Sequence, residues 1–406
     1  MKKHILLIAD GRSPITTRWI DQLESLGFCV SLVSTYPVKT DIKVEQLFIL
    51  SVAFSAAGED KIITSHGKQS KQSKISWKKK LIQNTRPLVM KVRYGLGPLT
   101  LQTYQRKLET IISEIKPDLV HALRVPYEGM LASVVPQKIP FLVSIWGNDF
   151  TLHANVNRKM RELTKVVMER ADGVLADVQR DIQLAHQWGL DEHKPTLVVP
   201  GGGGILFEEI EKSESDDWNE LNIPSNVPVI INPRGIRAYA RSDTFFKSIP
   251  LVLEKLPDAI FLCPAMQDKP EAQQWVERLQ ITNHVRLLPN LPQDKLWSLF
   301  HKSQISVSIT SHDGTPNTLL EAMACSCFPI AGDIESLREW IVPGVNGFLV
   351  EPGSPRELAN AIVAATINPA LRLNAAEYNK ELIKVKAEVG SVRNQLARFY
   401  EIFLGR

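Results

Sequence analysis

The stretch from Ile305 to Ala324 constrains the fold more than any other. ISVSI, Ile305 to Ile309, alternates and is rich in β-branched residues, which predicts a strand. LLEAMA, Leu319 to Ala324, predicts a helix, and the polar SHDGTPNT lies between them. Strand, short loop and helix in that order form one unit of an α/β sheet. The first free N–H groups of such a helix, with its positive dipole end, point over the sheet and make an anion site. Gly314 lets a ligand approach the backbone, and Pro316, which has no N–H, suits the first helical turn. Asp313 and Glu321 stand at either end of Gly314, Thr315, Pro316, Asn317, Thr318 and Leu319. Carboxylates there would repel phosphate, so they are expected to accept hydrogen bonds from hydroxyls. The ligand suggested is a phosphate flanked by sugars.

The same alternation runs along the chain. Strands are predicted at His4 to Ala9, Cys29 to Ser34, Leu119 to Ala122, Phe141 to Ile145, Gly173 to Ala176 and Thr196 to Val199. They resume at Val229 to Asn232, Ala259 to Cys263 and Val285 to Leu288, with helical patterns between. The 406 residues predict two or three domains at about 150 residues each. Gly201 to Gly204, after Pro200, read as a hinge, because no Lys-Ser or Lys-Thr follows as a P-loop requires. The expected division is a first Rossmann-like domain over 1–202, a second over 203–380, and a terminal helical segment over 381–406. No apolar run approaches the roughly 18 residues of a membrane span, and MKKHILLIAD is too short in its apolar part for a secretory signal. Four scattered cysteines suit neither a disulfide framework nor zinc. A cytoplasmic location is expected.

Charge is unevenly spread. Between Lys61 and Lys107 stand twelve Lys or Arg and no Asp or Glu, against a net charge of +4 for the whole chain. Trp77, Leu81, Met90, Tyr94 and other apolar residues interleave with them. The mixture suits peripheral contact with an anionic membrane, on the inner face of the cytoplasmic membrane, or with a lipid-linked acceptor. A solvated loop is the alternative, since SHGKQSKQSK is low in complexity. Nucleic acid is not expected as a partner, because no reading module accompanies the charge.

Ligands of doubly wound sheets bind beyond the carboxyl ends of the strands, which directs attention to the residues found there. After the first strand come Asp10, Arg12 and Ser13; around the third, His121 and Arg124; after the fourth, Trp146 and Asp149. The loop after Asn232 carries Arg234, Arg237 and Arg241, whose guanidinium forks suit diphosphate oxygens.

Asp313 and Glu321, separated by seven residues and followed by Ala-Met-Ala, resemble the signature of the retaining GT-B glycosyltransferases of family 4, also called group 1. Trp146-Gly147-Asn148-Asp149 resembles the short motif at the cleft wall of that family, with Trp146 where many members carry His. The resemblance implies two Rossmann-like doubly wound domains facing a cleft, with C-terminal helices crossing back to the first domain. It implies transfer of a hexose from a nucleotide sugar, UDP-glucose as the default, to a saccharide or lipid-linked hydroxyl acceptor in envelope or exopolysaccharide synthesis. Asp313 would hold the hexose and Glu321 the ribose; Leu288 and Asn290 belong to the loop that would seat the base. Arg234 or Arg237 would stabilise the leaving diphosphate first and Arg241 second, so no metal or other cofactor is expected. Asp10, Arg12, Ser13, Arg124 and Trp146 would face the acceptor, with Asp149 and His121 as the acceptor-side catalytic candidates. Asp149 reads equally well as a loop brace, and a lone His at a strand end such as His121 is more often a structural residue. An epimerase or hydrolase of the same fold, or a non-catalytic nucleotide-sugar-binding protein, are the other readings.

Overall fold

A computed structural model describes residues 2–38, 42–53, 76–213, 221, 223–224, 226–237 and 239–405, and of 76–92 the backbone alone. The first sheet comprises β1 (His4–Ala9), β2 (Cys29–Ser34), β3 (Leu47–Ile49), β4 (Leu119–Ala122), β5 (Phe141–Ile145), β6 (Gly173–Ala176) and β7 (Thr196–Val198). Its order is β3-β2-β1-β4-β5-β6-β7, and every neighbouring pair is parallel. The second sheet comprises β8 (Val229–Ile231), β9 (Ile260–Cys263), β10 (Val285–Leu287), β11 (Ile305–Ser308), β12 (Phe328–Gly332) and β13 (Phe348–Val350). Its order, β10-β9-β8-β11-β12-β13, repeats the same winding, again all parallel.

Each sheet therefore has one point where the winding reverses: between β1 and β4, and between β8 and β11. Diverging crossovers leave a crevice there, which is where such sheets bind ligands. Helices cover both faces, so the strands are apolar on both sides. Leu6 and Ile8 of β1 enter one core, and Ile5 and Leu7 the other.

Three elements differ from expectation. Thr103 to Ile115 predicts a helix, and the helix found runs from Ser76 to Ile115, well into the basic segment. Gln293–Lys302 is a helix with no counterpart in the reading above, burying Trp297, Ser298, Leu299 and Phe300. The C-terminal helix is two helices, Pro369–Lys386 and Val389–Leu404. They part where the backbone of Ile205 bonds Ala387 and Val389, with Ile205 N–H to Ala387 O at 2.7 Å. This pairing starts the last helix back toward the first sheet. Val392, Leu396, Phe399, Tyr400 and Leu404 then pack in one core with Ile5, Leu7, Trp19 and Leu142. Two doubly wound domains facing a cleft, tied by the last helix, form the architecture that the resemblance implies.

The glycine run between the domains is fastened. Trp19 Nε1 donates to Gly201 O and Gln22 Nε2 to Gly203 O, both at 2.9 Å. Gly203 and Gly204 have φ of 78° and 101°, a region side chains rarely enter.

Candidate active site

The second reversal point builds one wall of a cleft. Asn232 and Arg234 follow β8, and Thr310 to Asp313 follow β11, so both loops emerge side by side. Asn232 Oδ1 accepts from the Arg234 N–H at 3.1 Å and fixes the turn. The Arg234 side chain then lies nearly buried, ion-paired to Asp313 and 3.4 Å from Thr318 Oγ1 through Nη1. Its Nε is buried with no hydrogen-bond partner among the described residues. An orphaned guanidinium N–H is a donor waiting for an acceptor.

The opposite wall comes from the first domain. Trp146, Gly147 and Asn148 follow β5, Asp177 follows β6, and Gly201 and Gly202 follow β7. With Arg234, Arg237, Tyr239, Asp313, Thr315, Pro316, Asn317 and Thr318 they enclose about 870 Å³. The walls touch. A Cβ on Gly147 would lie 1.9 Å from Gly314 N, so only two glycine backbones can meet at this separation. Thr315 Oγ1 donates to Asp177 O at 3.0 Å, and the Glu339 carboxylate accepts from the Gln179 and Arg180 N–H groups at 2.8 and 3.0 Å.

Of the residues expected around the donor, Arg234, Arg237, Asp313, Thr315, Pro316, Asn317 and Thr318 line the cleft, and Gly314 forms its narrowest contact. Pro316 caps the helix Asn317–Ala324 rather than entering its first turn. Leu319 does not contribute: its side chain is in the core and its N–H is bonded to Pro316 O at 2.9 Å. Leu288, Asn290 and Glu321 lie outside this cavity. Glu321 is buried and accepts from Gln293 Nε2 at 2.6 Å, while Gln293 Oε1 accepts from Arg18 Nη2 of the first domain at 2.7 Å. Burial raises the Glu321 pKa, and Gln293 and the Arg18 charge oppose that rise. Arg241 corrects the sequence reading. It forms a bidentate pair with Asp243 at 2.8 and 2.9 Å, because its backbone is pinned to Ile309 O and the side chain leaves toward the start of the next helix.

A second cavity, of about 750 Å³, opens at the first reversal point, beyond β1 and β4. Asp10, Ser13, Arg124 and Trp146, expected on the acceptor side, line it together with Tyr36, Arg93, Tyr94, Tyr127, Glu128 and His153. Trp146 lines both cavities and is the wall they share. Arg12 holds Asp10 through two 3.0 Å bonds and lies over the Tyr36 ring at 3.7 Å. Arg124 donates to Asp149 at 2.8 Å and Asn148 at 2.9 Å, with its guanidinium 5.1 Å from the Trp146 ring centre.

Two of the catalytic candidates on this side are placed elsewhere. His121 is fully buried, with Nδ1 2.6 Å from Tyr400 Oη and Nε2 2.9 Å from Ser144 Oγ. Burial holds its pKa down to about 3. It is a neutral core residue joining the last helix to the sheet, because its position on β4 points it under that helix rather than over the crevice. Asp149 is also buried, and accepts from Arg124 and from the Val125 and Trp146 N–H groups at 3.1 and 3.2 Å. Those bonds occupy its oxygens and make it the brace of the Trp146 loop.

Several lining residues were not read from sequence. Asp177 is half-buried, its Oδ1 is buried and unpartnered among the described residues, and desolvation, Asp181 and Asp313 raise its pKa well above its ordinary value. Burial also pushes Glu128 up to about 7, against Arg124 and a 2.8 Å bond from Thr35 Oγ1. Burial and the Arg124 charge hold His153 down to about 4. Their only sequence signal was position just after a strand end. Arg93 and Tyr94 had been counted in the basic, membrane-facing segment. They line the cavity instead, while 61–75 and the side chains of 76–92 lie outside the described residues. Among the described residues no helix is long and apolar enough to cross a membrane, and no group of three or more His, Cys, Asp or Glu is placed to hold a metal ion.

The sequence matches two family models, Glycosyl transferases group 1 over residues 213–382 and Glycosyl transferase 4-like over residues 61–178. The chain thus has the GT-B fold and matches glycosyltransferase family models on both sides of the Gly201–Gly204 run. An uncharacterized glycosyltransferase of Methanocaldococcus jannaschii is 24% identical over 68% of this chain and 73% of its own length. The chain spans about half the length of the other curated relatives it matches. Sucrose-phosphate synthase of Thermosynechococcus elongatus superposes over 100% of both chains with a TM-score of 0.74 at 16% identity. An Anabaena protein solved with UDP-glucose superposes over 98% of this chain and 99% of its own, with a TM-score of 0.67 and 16% identity. These likenesses are of fold. The glycosyltransferase cleft thus sits where both sheets reverse their winding, with Trp146 between its two cavities.

Proposed function

We propose that this glycosyltransferase moves a hexose from a nucleoside-diphosphate sugar, UDP-glucose as the first choice, to an acceptor hydroxyl with retention at the anomeric carbon. The observation that carries the reading is the pair of cavities meeting at Trp146, one of them presenting the orphaned Arg234 Nε. The Anabaena structure with UDP-glucose supports the choice of donor.

The chemical problem is negative charge building on the departing diphosphate while the sugar becomes oxocarbenium-like. Preorganised donors aimed at that charge lower the barrier most. Arg234 and Arg237 would supply guanidinium donors, and the backbone amides at the start of the Asn317–Ala324 helix would add theirs. Arg237 takes the place first expected of Arg241. Asp313 would accept from hexose hydroxyls while holding Arg234, and Glu321 would accept from the ribose once Gln293 yields it. The acceptor would enter the first-domain cavity and reach the anomeric carbon past Trp146.

Retention without a covalent intermediate suits the carboxyl groups of this cleft. Asp313 is committed to Arg234, and desolvation raises the Asp177 pKa and so disfavours its charged form, which leaves neither a ready nucleophile. The acceptor oxygen would attack from the face the diphosphate leaves, forming the C–O bond as the other breaks, with its proton passing to a departing phosphate oxygen. Closure at Gly147 and Gly314 would keep water out. Incubation of UDP-glucose and a panel of saccharide acceptors with the enzyme, followed by NMR of the product anomer, tests this. An α-glucoside is expected; an inverted product, or only epimerised or free sugar, would overturn it.

A further inference from the structure

The first-domain cavity holds three arginines, and the described residues give only two of them a carboxylate partner. Arg12 and Arg93 both lie over the Tyr36 ring, at 3.7 and 5.2 Å, so two guanidinium groups share one aromatic face or its reverse. Arg124 lines the same space. Arg12 is paired to Asp10 and Arg124 to Asp149. Arg93 makes no ion pair with a carboxylate among the described residues. The nearest acid in the cavity, Glu128, gives its carboxylate to Thr35 and is pushed up to about 7 by burial, and His153 stays neutral. Among the described residues Arg93 is thus the arginine of this group with no carboxylate at ion-pair distance.

That charge is held in place. The Arg93 guanidinium lies 4.8 Å from the Tyr127 ring centre, and the Tyr127 hydroxyl donates to Arg93 O at 2.8 Å. Tyr127 has φ 67° and ψ −52°, a conformation costly for a residue with a large side chain. The strained backbone turns this ring under the guanidinium. Aromatic faces hold arginine by cation–π attraction without neutralising it. A fixed guanidinium with no carboxylate partner among the described residues, in a concave site, suits an oxyanion.

We propose that the acceptor carries an oxyanion, a phosphate ester or a carboxylate, near its reacting hydroxyl, and that Arg93, clamped between Tyr36 and Tyr127, binds it. This rests on the transferase reading, whose acceptor it assigns to a chemical class; the anion takes no part in the bonds made and broken. Isothermal titration of the full chain with UDP present would compare glucose 6-phosphate, glucuronate and glucose, with inorganic phosphate as a minimal probe. Glucose 6-phosphate or glucuronate should bind at least about tenfold more tightly than glucose, the stronger of the two naming the source of the anion. Arg93→Gln should reduce that preference to within about threefold, and Arg93→Lys should retain part of it, since a point charge replaces the fork. Equal binding of glucose, an unchanged preference in Arg93→Gln, or no binding by any of these probes at millimolar concentration would each overturn the proposal. UDP titrated into the same preparations separates the two readings. Failure of UDP to bind would sink the transferase assignment, whereas normal UDP binding without anion preference sinks only this one.

Discussion

The two cavities that meet at Trp146 are built by opposite means. The interdomain cleft draws its second-domain wall mainly from two loops, Asn232 to Tyr239 and Asp313 to Thr318, and presents backbone amides and one buried arginine. The first-domain cavity collects side chains from distant segments, among them Asp10, Tyr36, Arg93, Tyr127, Trp146 and His153. A group common to all donors, the diphosphate, can be held by a local loop–helix unit. An acceptor is recognised by a shape and charge that only distant segments can assemble.

The sharpest way to break that comparison is Arg234→Ala. If the second-domain loops carry the charge stabilisation, transfer should fall by roughly 10²–10³ in kcat, while Arg241→Ala, already satisfied by Asp243, should stay within about threefold of wild type. Equal losses in steady-state assays would return Arg241 to the site. Gly147→Ala probes the seam between the two walls. Its Cβ would meet Gly314 N at 1.9 Å, so the loops must part, and kcat/KM is expected to fall by about 10² while the melting temperature changes little. A fully active variant would show that this contact is not needed for transfer.

Within the donor half, Glu321→Ala should weaken UDP binding about tenfold by titration, through loss of a charged hydrogen bond. Asp313→Ala should mainly slow transfer while UDP still binds; equal loss of UDP affinity in both would erase the division between ribose and hexose. The smallest effect belongs to the other cavity and is one of stability. Glu128 titrates near 4.5 when unfolded and at about 7 when folded. Between those values the folded state binds more protons, so stability falls as pH rises through the window and levels off above it. Glu128→Gln should remove that slope of roughly 1 kcal/mol per pH unit in urea unfolding between pH 5 and 8. Parallel profiles for the two proteins would place the charge elsewhere.

The same contrast explains how legible each part was. The strands, the loop–helix unit around Gly314 and the arginine after β8 follow from hydrophobic period and turn chemistry, both local properties. The helix Gln293–Lys302 has no counterpart in the sequence reading, whose loop ends at Pro292, although its residues sit together. His121 and Asp149 stand at strand ends, where the sequence leaves each open to a catalytic or a structural role. Whether a strand-end side chain faces the crevice or the core depends on what covers it, here Tyr400 for one and Arg124 for the other. Arg93 sits in a segment whose composition reads as membrane-facing, yet its side chain lies in the cavity.

By itself the sequence determined two α/β domains and the strand–loop–helix unit around Gly314, because backbone hydrogen bonding and side-chain period act over a few residues. Tertiary structure alone decided that Gly147 meets Gly314, that Asp177 Oδ1 is buried, and that Arg93 lies between Tyr36 and Tyr127. Those juxtapositions join residues far apart in the chain, and their burial and charge balance exist only once packing has excluded water from around them.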